Sequence, residues 1–220
     1  MTLNEVVGRL MAYLGEQTLP DTGKIHLWMG QAKAKVHGFI VRNNPWALLR
    51  QTTITVGEGD SVVSLPRFSV ALEAFIQQTT DDDETWLPLP IKPYRDTHNI
   101  GNPGQRGFPK HLFVAPGGRG NLWPVPDRNY RIRFGYAAPL DDFIWENPNG
   151  DWDIPPEYED LFIKELAYAY AFAYIRDFGA RLSLIKQDIV EAQEALKRTW
   201  PDYGGKKHIR RNIYHRGRAL

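Results

Sequence analysis

The sequence predicts an α+β fold: an α-helical bundle of two N-terminal and two C-terminal helices, a small antiparallel β insertion between them, and an extended C-terminal arm. Three observations predict it. Apolar residues recur at three- and four-residue spacing near both ends of the 220-residue chain, the period of a helix buried on one face. From about Gln51 to Ala138 the period falls to two, the spacing of a half-buried strand, and most of the sixteen prolines lie in this middle region. Beyond Asp202 the chain is polar and basic, too poor in apolar groups to close a core.

Residues up to about Arg42 read as two helices. Leu3, Val6, Val7, Leu10 and Leu14 form the stripe of the first, and Pro20-Asp21-Thr22-Gly23 breaks it. Ile25, Trp28, Met29, Ala32, Val36, Phe39 and Ile40 form the stripe of the second, which Asn43-Asn44-Pro45 ends, because a residue before proline avoids helical geometry. Thr52, Ile54 and Val56 then alternate with polar neighbours. Gly57-Glu58-Gly59-Asp60 offers a turn before Ser61 to Leu65, so these two segments are expected to form a hairpin.

Val70, Leu72, Ala74 and Ile76 alternate next, and Thr85 to Ile91 is expected to return across the acidic run Asp81-Asp82-Asp83-Glu84. Arg95 to Lys110 reads as a long loop, His111 to Ala115 as a strand and Gly117 to Gly120 as a turn. Leu122 to Val125 and Tyr130 to Tyr136 read as strands, with Tyr130, Ile132, Phe134 and Tyr136 on one side and Arg131 and Arg133 on the other. So many prolines favour a small twisted sheet with short edges.

Helix returns after a linker marked by tryptophan and proline. Pro155-Pro156-Glu157 is a helix start, and Tyr158 to Phe178 follows, with alanines alternating with aromatic rings. A last helix from about Arg181 to Trp200 carries Leu182, Ile185, Ile189, Ala192, Leu196 and Trp200 on one face. The expected organisation is a helical core from residues 1–46 and 154–200, a β-rich insertion with loops over 47–153, and a basic C-terminal arm over 201–220.

At 42% hydrophobic and 24% charged, the composition is that of a soluble globular chain long enough to bury its own core. It has no cysteine, which excludes a disulfide scaffold, a thiol nucleophile and a thiolate metal site. The longest apolar run, around Leu166 to Ile175, is too short for a bilayer, so no membrane partner is expected. The first residues carry acids and no basic stretch, unlike a signal peptide. The expected compartment is the cytosol, or a particle assembled there.

The net charge of +1 conceals segregation: Lys206, Lys207, Arg210, Arg211, Arg216 and Arg218 sit at the end of the chain with no acid among them. Such a distribution suggests an arm that reaches a partner. Its apolar residues, Ile209, Ile213, Tyr214 and Leu220, are spaced to order on that partner.

Catalytic patterns are missing. The six histidines, His26, His37, His98, His111, His208 and His215, do not pair at helical ligand spacing with a nearby acid. There is no nucleophile elbow and no P-loop lysine. Gly101 to Gly104 and Gly117 to Gly120 are turn chemistry, since neither places amides at a helix N-terminus. The acidic run lacks the ligand spacing of a calcium loop. Seven tryptophans are spread evenly, as anchors are. No enzyme, cofactor or metal is expected.

The order of features carries a resemblance. Asn44-Pro45-Trp46 ends the helical hairpin, and Ser64-Leu65-Pro66 and Gly107-Phe108-Pro109 follow. Leu122-Trp123-Pro124-Val125-Pro126-Asp127 then leads into Tyr130-Arg131-Ile132-Arg133, and Asp153-Ile154-Pro155-Pro156-Glu157-Tyr158-Glu159-Asp160-Leu161 opens the last helices. From Met1 to about Trp200 this series resembles the head-to-tail adaptor proteins of tailed bacteriophages. The resemblance implies a structural protein of the virion that forms a ring, usually dodecameric, from neighbouring copies of itself. It implies a place at the head–tail junction, under the portal protein, after assembly in the host cytoplasm. It further implies a DNA channel continued toward the next tail component, a nozzle or tail tube, through which the genome passes at ejection without sequence-specific binding.

On this resemblance the arm, through Lys206, Lys207, Ile209, Arg210, Arg211, Ile213, Tyr214, Arg216, Arg218 and Leu220, binds the portal. Asp81, Asp82, Asp83 and Glu84 make an acidic tip that faces either the channel or the tail, the alternative being a solvated turn without a role. Two alternatives belong to other classes: a nucleic-acid-binding accessory protein whose arm neutralises phosphates, and a carbohydrate-binding tail-fibre module using tryptophans.

Overall fold

The structure, a computed structural model, describes residues 3–16, 25–78, 85–115, 117–139, 154–174 and 179–199. They fall into two compact units: residues 1–48 with 139–200, and residues 49–138.

The first unit holds four helices among its described residues: α1 (Leu3–Leu14), α2 (Ile25–Asn43), α3 (Glu159–Tyr174) and α4 (Gly179–Thr199). Pro155 precedes a 3-10 turn, Pro156–Tyr158, that leads into α3, and two acids, Glu159 and Asp160, occupy its first turn. Proline needs no amide partner there, and carboxylates suit the positive end of the helix dipole. α3 packs against α1, α2 and α4. That explains why Leu161, Phe162, Ile163, Leu166, Ala167, Ala169, Tyr170 and Ala171 are all buried: with three neighbours, a single apolar stripe is not enough. Trp28 of α2 stands edge-on to Tyr170 and Tyr174, with centroids 5.3 and 5.0 Å away. The α2 stripe is buried as expected, from Ile25 to Ile40.

The second unit holds ten strands in three sheets among its described residues: β1 (Leu49–Val56), β2 (Val62–Ser64), β3 (Val70–Gln78), β4 (Leu87–Pro88), β5 (Ile91–Pro93), β6 (Arg106–Gly107), β7 (His111–Ala115), β8 (Arg119–Trp123), β9 (Val125–Pro126) and β10 (Tyr130–Ala137). One four-stranded sheet runs in the order β1-β10-β3-β4, a second in the order β2-β8-β7-β5, and β6 pairs with β9. The two larger sheets share one core. The first contributes Val56, Ala74, Ile76, Tyr130, Ile132 and Phe134, the second Val63, Leu112 and Leu122, with Leu65 and Leu89 beside them.

This corrects the expected fold class. The chain is not a helical bundle with a small antiparallel β insertion; it is mostly β-rich, with a two-sheet body and its own core. The reason lies in strand length. β4, β6 and β9 have two residues each, and β2 and β5 have three, so none completes enough alternations to leave a period in the sequence. β5 and β6 also pair in parallel with β7 and β9, contacts that no turn motif announces.

The expected hairpin of Thr52–Val56 with Ser61–Leu65 is also corrected. β1 pairs with β10 from Leu49↔Ala137 to Val56↔Tyr130, and β2 pairs with β8. Residues 57–60 therefore carry the chain from one sheet to the other. The turn is present, with Asp60 N donating to Gly57 O at 3.2 Å, but turn chemistry specifies a change of direction and not a partner.

Other readings hold. β3 and β4 pair antiparallel, β7 is His111–Ala115, and the edges β4 and β5 are short and carry Pro88 and Pro93. In β10, Tyr130, Ile132 and Phe134 are buried as expected, and its register with β3 shifts between Gly135 and Tyr136, where β3 carries the extra residue Leu72. Ala137 is buried there and Tyr136 only partly.

Candidate functional site

The two expected contact segments, Asp81 to Glu84 and residues 201–220, lie outside the described residues. Their bases are described. The acidic run joins two antiparallel strands, since Phe75 pairs with Pro88 and Ile76 with Leu87. Trp86, two residues beyond it, lies against Arg133 of β10, whose guanidinium carbon is 4.2 Å from the ring centroid. Phe75 is the same guanidinium's second aromatic neighbour, at 6.0 Å. A guanidinium against two rings gains both dispersion and quadrupole attraction, which fastens β4 to β10 across β3.

α4 ends with Lys197 and Arg198 in its last turn, where positive charge suits the carbonyl end of the dipole. Thr199 Oγ1 donates to Leu196 O at 2.9 Å and closes that turn. The arm residues Lys206, Lys207, Ile209, Arg210, Arg211, Ile213, Tyr214, Arg216, Arg218 and Leu220 follow this end in sequence.

The motif residues that carried the resemblance have structural work. Trp123 Nε1 donates to Asn102 O at 3.0 Å, and Val125 N donates to Gln105 O at 2.8 Å, which ties the glycine-rich loop to the sheet. Within that loop Gly104 N donates to Asn102 Oδ1 at 3.1 Å, an Asx turn rather than an anion cradle. Tyr130 Oη donates to Asp127 Oδ1 at 2.6 Å; burial, and then that hydrogen bond, push its pKa up. Phe108 stands edge-on to Tyr130 at 5.5 Å. Ile154 and Tyr158 are buried at the entrance to α3, and Asn44 Nδ2 donates to Tyr158 Oη at 3.2 Å.

Gly118 needs to be glycine. Its φ of +81° lies in the left-handed region, and a Cβ there would meet Leu65 O at 2.7 Å. Its own carbonyl accepts from Leu65 N at 2.7 Å, so the two backbones touch.

Three clusters went unread in the sequence. On α3, Tyr168 lies between chains from two other helices: Lys35 Nζ of α2 is 4.9 Å from its ring centroid and Lys186 Nζ of α4 is 5.5 Å away. Lys35 also bridges to the buried Glu165 at 2.9 Å, and Phe172, 62% exposed, stacks beyond Tyr168. Tyr13 of α1 donates to Asp188 of α4 at 2.5 Å; burial first, and then this bond, raise its pKa. On β7, Lys92 Nζ lies 3.3 Å from His111 Nε2, and the ring stacks on Trp123. An ammonium can only donate, so the contact suits a neutral His111 ring that accepts at Nε2. Burial first, then Lys92 and Lys110, hold its pKa below the ordinary histidine value. Each cluster joins residues remote in sequence, so no local spacing could have signalled it. Among the described residues no group of three or more His, Asp or Glu side chains is placed to hold a metal ion, and no helix is long and apolar enough to cross a membrane.

A family model described as SU10 adaptor protein matches residues 1–207. The chain belongs to the SU10 adaptor protein family. The match takes in nearly the whole chain, including both compact units and the start of the arm. A search of curated proteins finds no match.

Membership makes the chain a structural adaptor of a phage virion that interacts with other head and tail proteins. The family match covers both the Leu122–Asp127 and the Ile154–Leu161 segments, whose side chains hold the adaptor's loops and helices in place.

Proposed function

We propose that the chain is the head-to-tail adaptor itself: copies form a ring that docks under the portal, joins it to the next tail component and continues the DNA channel. The observation that carries this reading is the family match over residues 1–207. The division of labour follows from charge and composition. The helical unit supplies a rigid part, and the arm supplies the grip. Six basic residues and four apolar anchors on seventeen residues after Tyr203 suit a segment that orders only when it binds. The acidic run, whose base is fastened by Arg133 and Trp86, keeps phosphates from adhering to the channel wall or meets the next tail component. The role is structural and non-enzymatic, without cofactor, and DNA passes without being read.

Reconstitution with portal protein tests this. Chain truncated after Tyr203 is expected to stay folded and to lose portal binding. Neutralising Asp81, Asp82 and Asp83 to asparagine and Glu84 to glutamine is expected to leave portal docking intact while impairing DNA ejection or attachment of the next tail protein, each scored in assembled particles. Unchanged portal affinity of the truncated chain overturns the arm's role. Wild-type ejection together with wild-type tail attachment overturns that of the acidic run. Salt-sensitive retention of DNA in the absence of portal would instead favour the nucleic-acid-binding accessory reading.

A further inference from the structure

We propose that β1 is a self-docking edge, and that two copies of the free chain pair β1 against β1 across a two-fold axis to make one continuous eight-stranded sheet. Among the described strands β1 pairs with β10 alone. Along its other side, alternate residues turn their amide and carbonyl groups away from the sheet. An open edge of this kind is a template for another strand.

Proteins usually blunt such edges with prolines, lysines, bulges or extreme shortness. β1 has none of these. It is eight residues long, Leu49-Arg50-Gln51-Thr52-Thr53-Ile54-Thr55-Val56, and its register with β10 is unbroken from end to end. The other strands that end a four-stranded sheet are protected. β4 has two residues and includes Pro88, β5 has three and ends in Pro93, and β2 has three.

Length and charge identify the occupant. Among the described strands that end a sheet, only β1 can match β1 over its full length. In an antiparallel pair, facing residues lie on the same side of the sheet, so the axis passes beside Thr52 or Thr53. With the axis at Thr53, Thr53 faces its own counterpart, Thr52 faces Ile54, Gln51 faces Thr55, and Arg50 faces Val56. With the axis at Thr52, Gln51 faces Thr53 and Arg50 faces Ile54. Arg50 is the strand's only charge, so neither register sets like charges in opposition, and threonine and β-branched residues make favourable cross-strand pairs. Burial points the same way. Thr52 and Ile54 turn toward the core side yet remain half-buried, whereas Ile132 and Ile76, in one row with Ile54 farther inside the sheet, are fully buried. A strand from a second copy supplies the missing cover. An isologous contact of this sort closes after two copies. The pairing belongs to the free chain and stands apart from the adaptor reading.

The test is the mass of the full-length chain in solution, by sedimentation, for wild type, Thr53→Lys and Thr53→Glu, each alone and the two variants mixed. Thr53 is exposed on β1, and circular dichroism checks that each variant keeps its fold. Wild type is expected at the mass of two chains. Each charged variant is expected to self-associate at least roughly tenfold more weakly, since like charges meet at the axis, and the equimolar mixture to return to the mass of two chains. Should a Thr53 variant fail to fold, the double variants Gln51→Lys with Thr55→Lys and Gln51→Glu with Thr55→Glu set like charges in facing or diagonal positions across the axis and give the same readout. A wild type that stays at one chain overturns the proposal, as does an assembly of more than two, or a dimer that survives unchanged in both charged variants alone.

Discussion

In the helical unit α3 is buried on almost every side by α1, α2 and α4, whereas in the sheet unit β10 gives Tyr130, Ile132 and Phe134 to the core and leaves Arg131 exposed and Arg133 half-buried on its other side. The helical arrangement needs small residues where helices meet, and Ala167, Ala169 and Ala171 supply them beside Tyr170. The sheet arrangement needs large residues in rows, and Ile54, Ile132 and Ile76 align across β1, β10 and β3. The lesson is that the same overall hydrophobicity produces two cores with opposite sensitivities. One suffers most from added volume, the other from lost volume.

The largest expected effect is in the sheet unit. Phe134 is fully buried, with Phe68 edge-on at 5.6 Å and Tyr136 stacked at 5.7 Å. Phe134→Ala is expected to cost about 3–5 kcal/mol, the usual cost of emptying an aromatic site in a core. Chemical denaturation measures it, and hydrogen exchange should place the lost protection in β1, β3 and β10. A cost near 1 kcal/mol would mean that the two sheets collapse onto the gap, and the contrast between the units would weaken.

The next effect is in the helical unit, with the opposite sign of volume. Ala171 is fully buried on α3, and Ala171→Leu is expected to cost about 1–3 kcal/mol by forcing helices apart. A change within about half a kcal/mol, the usual range for surface sites, would show that α3 has room around it.

The smallest effect is electrostatic. Folding holds His111 neutral by burial, with Lys92 and Lys110 adding to it. Above its ordinary pKa neither the folded nor the unfolded chain carries the proton, so the full stability is present. As pH falls below that value the unfolded chain binds a proton that the folded chain refuses, and stability is lost progressively until the lowered folded pKa is reached. His111→Gln is expected to flatten the decline of denaturation midpoint below neutrality. An identical pH profile in the variant would show that other groups set the acid limit of the sheet unit.

Legibility in the sequence followed the same divide. Every apolar residue of the α2 stripe, from Ile25 through Trp28, Met29, Ala32, Val36 and Phe39 to Ile40, is buried, because all of them are placed by one local period. α4 also presents Ile185 and Ile189 to the interior, as its spacing required. The sheet unit was legible strand by strand and not as a whole: β3, β7 and β10 stood out, while the short strands that complete the second and third sheets did not. The two expected contact segments stand in the sequence as composition alone, a basic stretch and an acidic run. The cluster of Lys35, Tyr168 and Lys186 was invisible because its members come from three helices.

By itself the sequence determined the four helices, the strongest strands and, through the order of its motifs, the adaptor family to which the chain belongs. Only the tertiary structure decided that β1 pairs with β10 rather than with β2, that β3 carries one extra residue, Leu72, opposite Gly135 and Tyr136 of β10, and that the β region is a two-sheet body rather than a small insertion. The physical reason is the range of the bonds. A helix closes each hydrogen bond four residues away, so its period is written locally. A strand bonds to whichever partner the whole chain brings beside it, and no residue in β1 records that this partner lies some eighty positions further on.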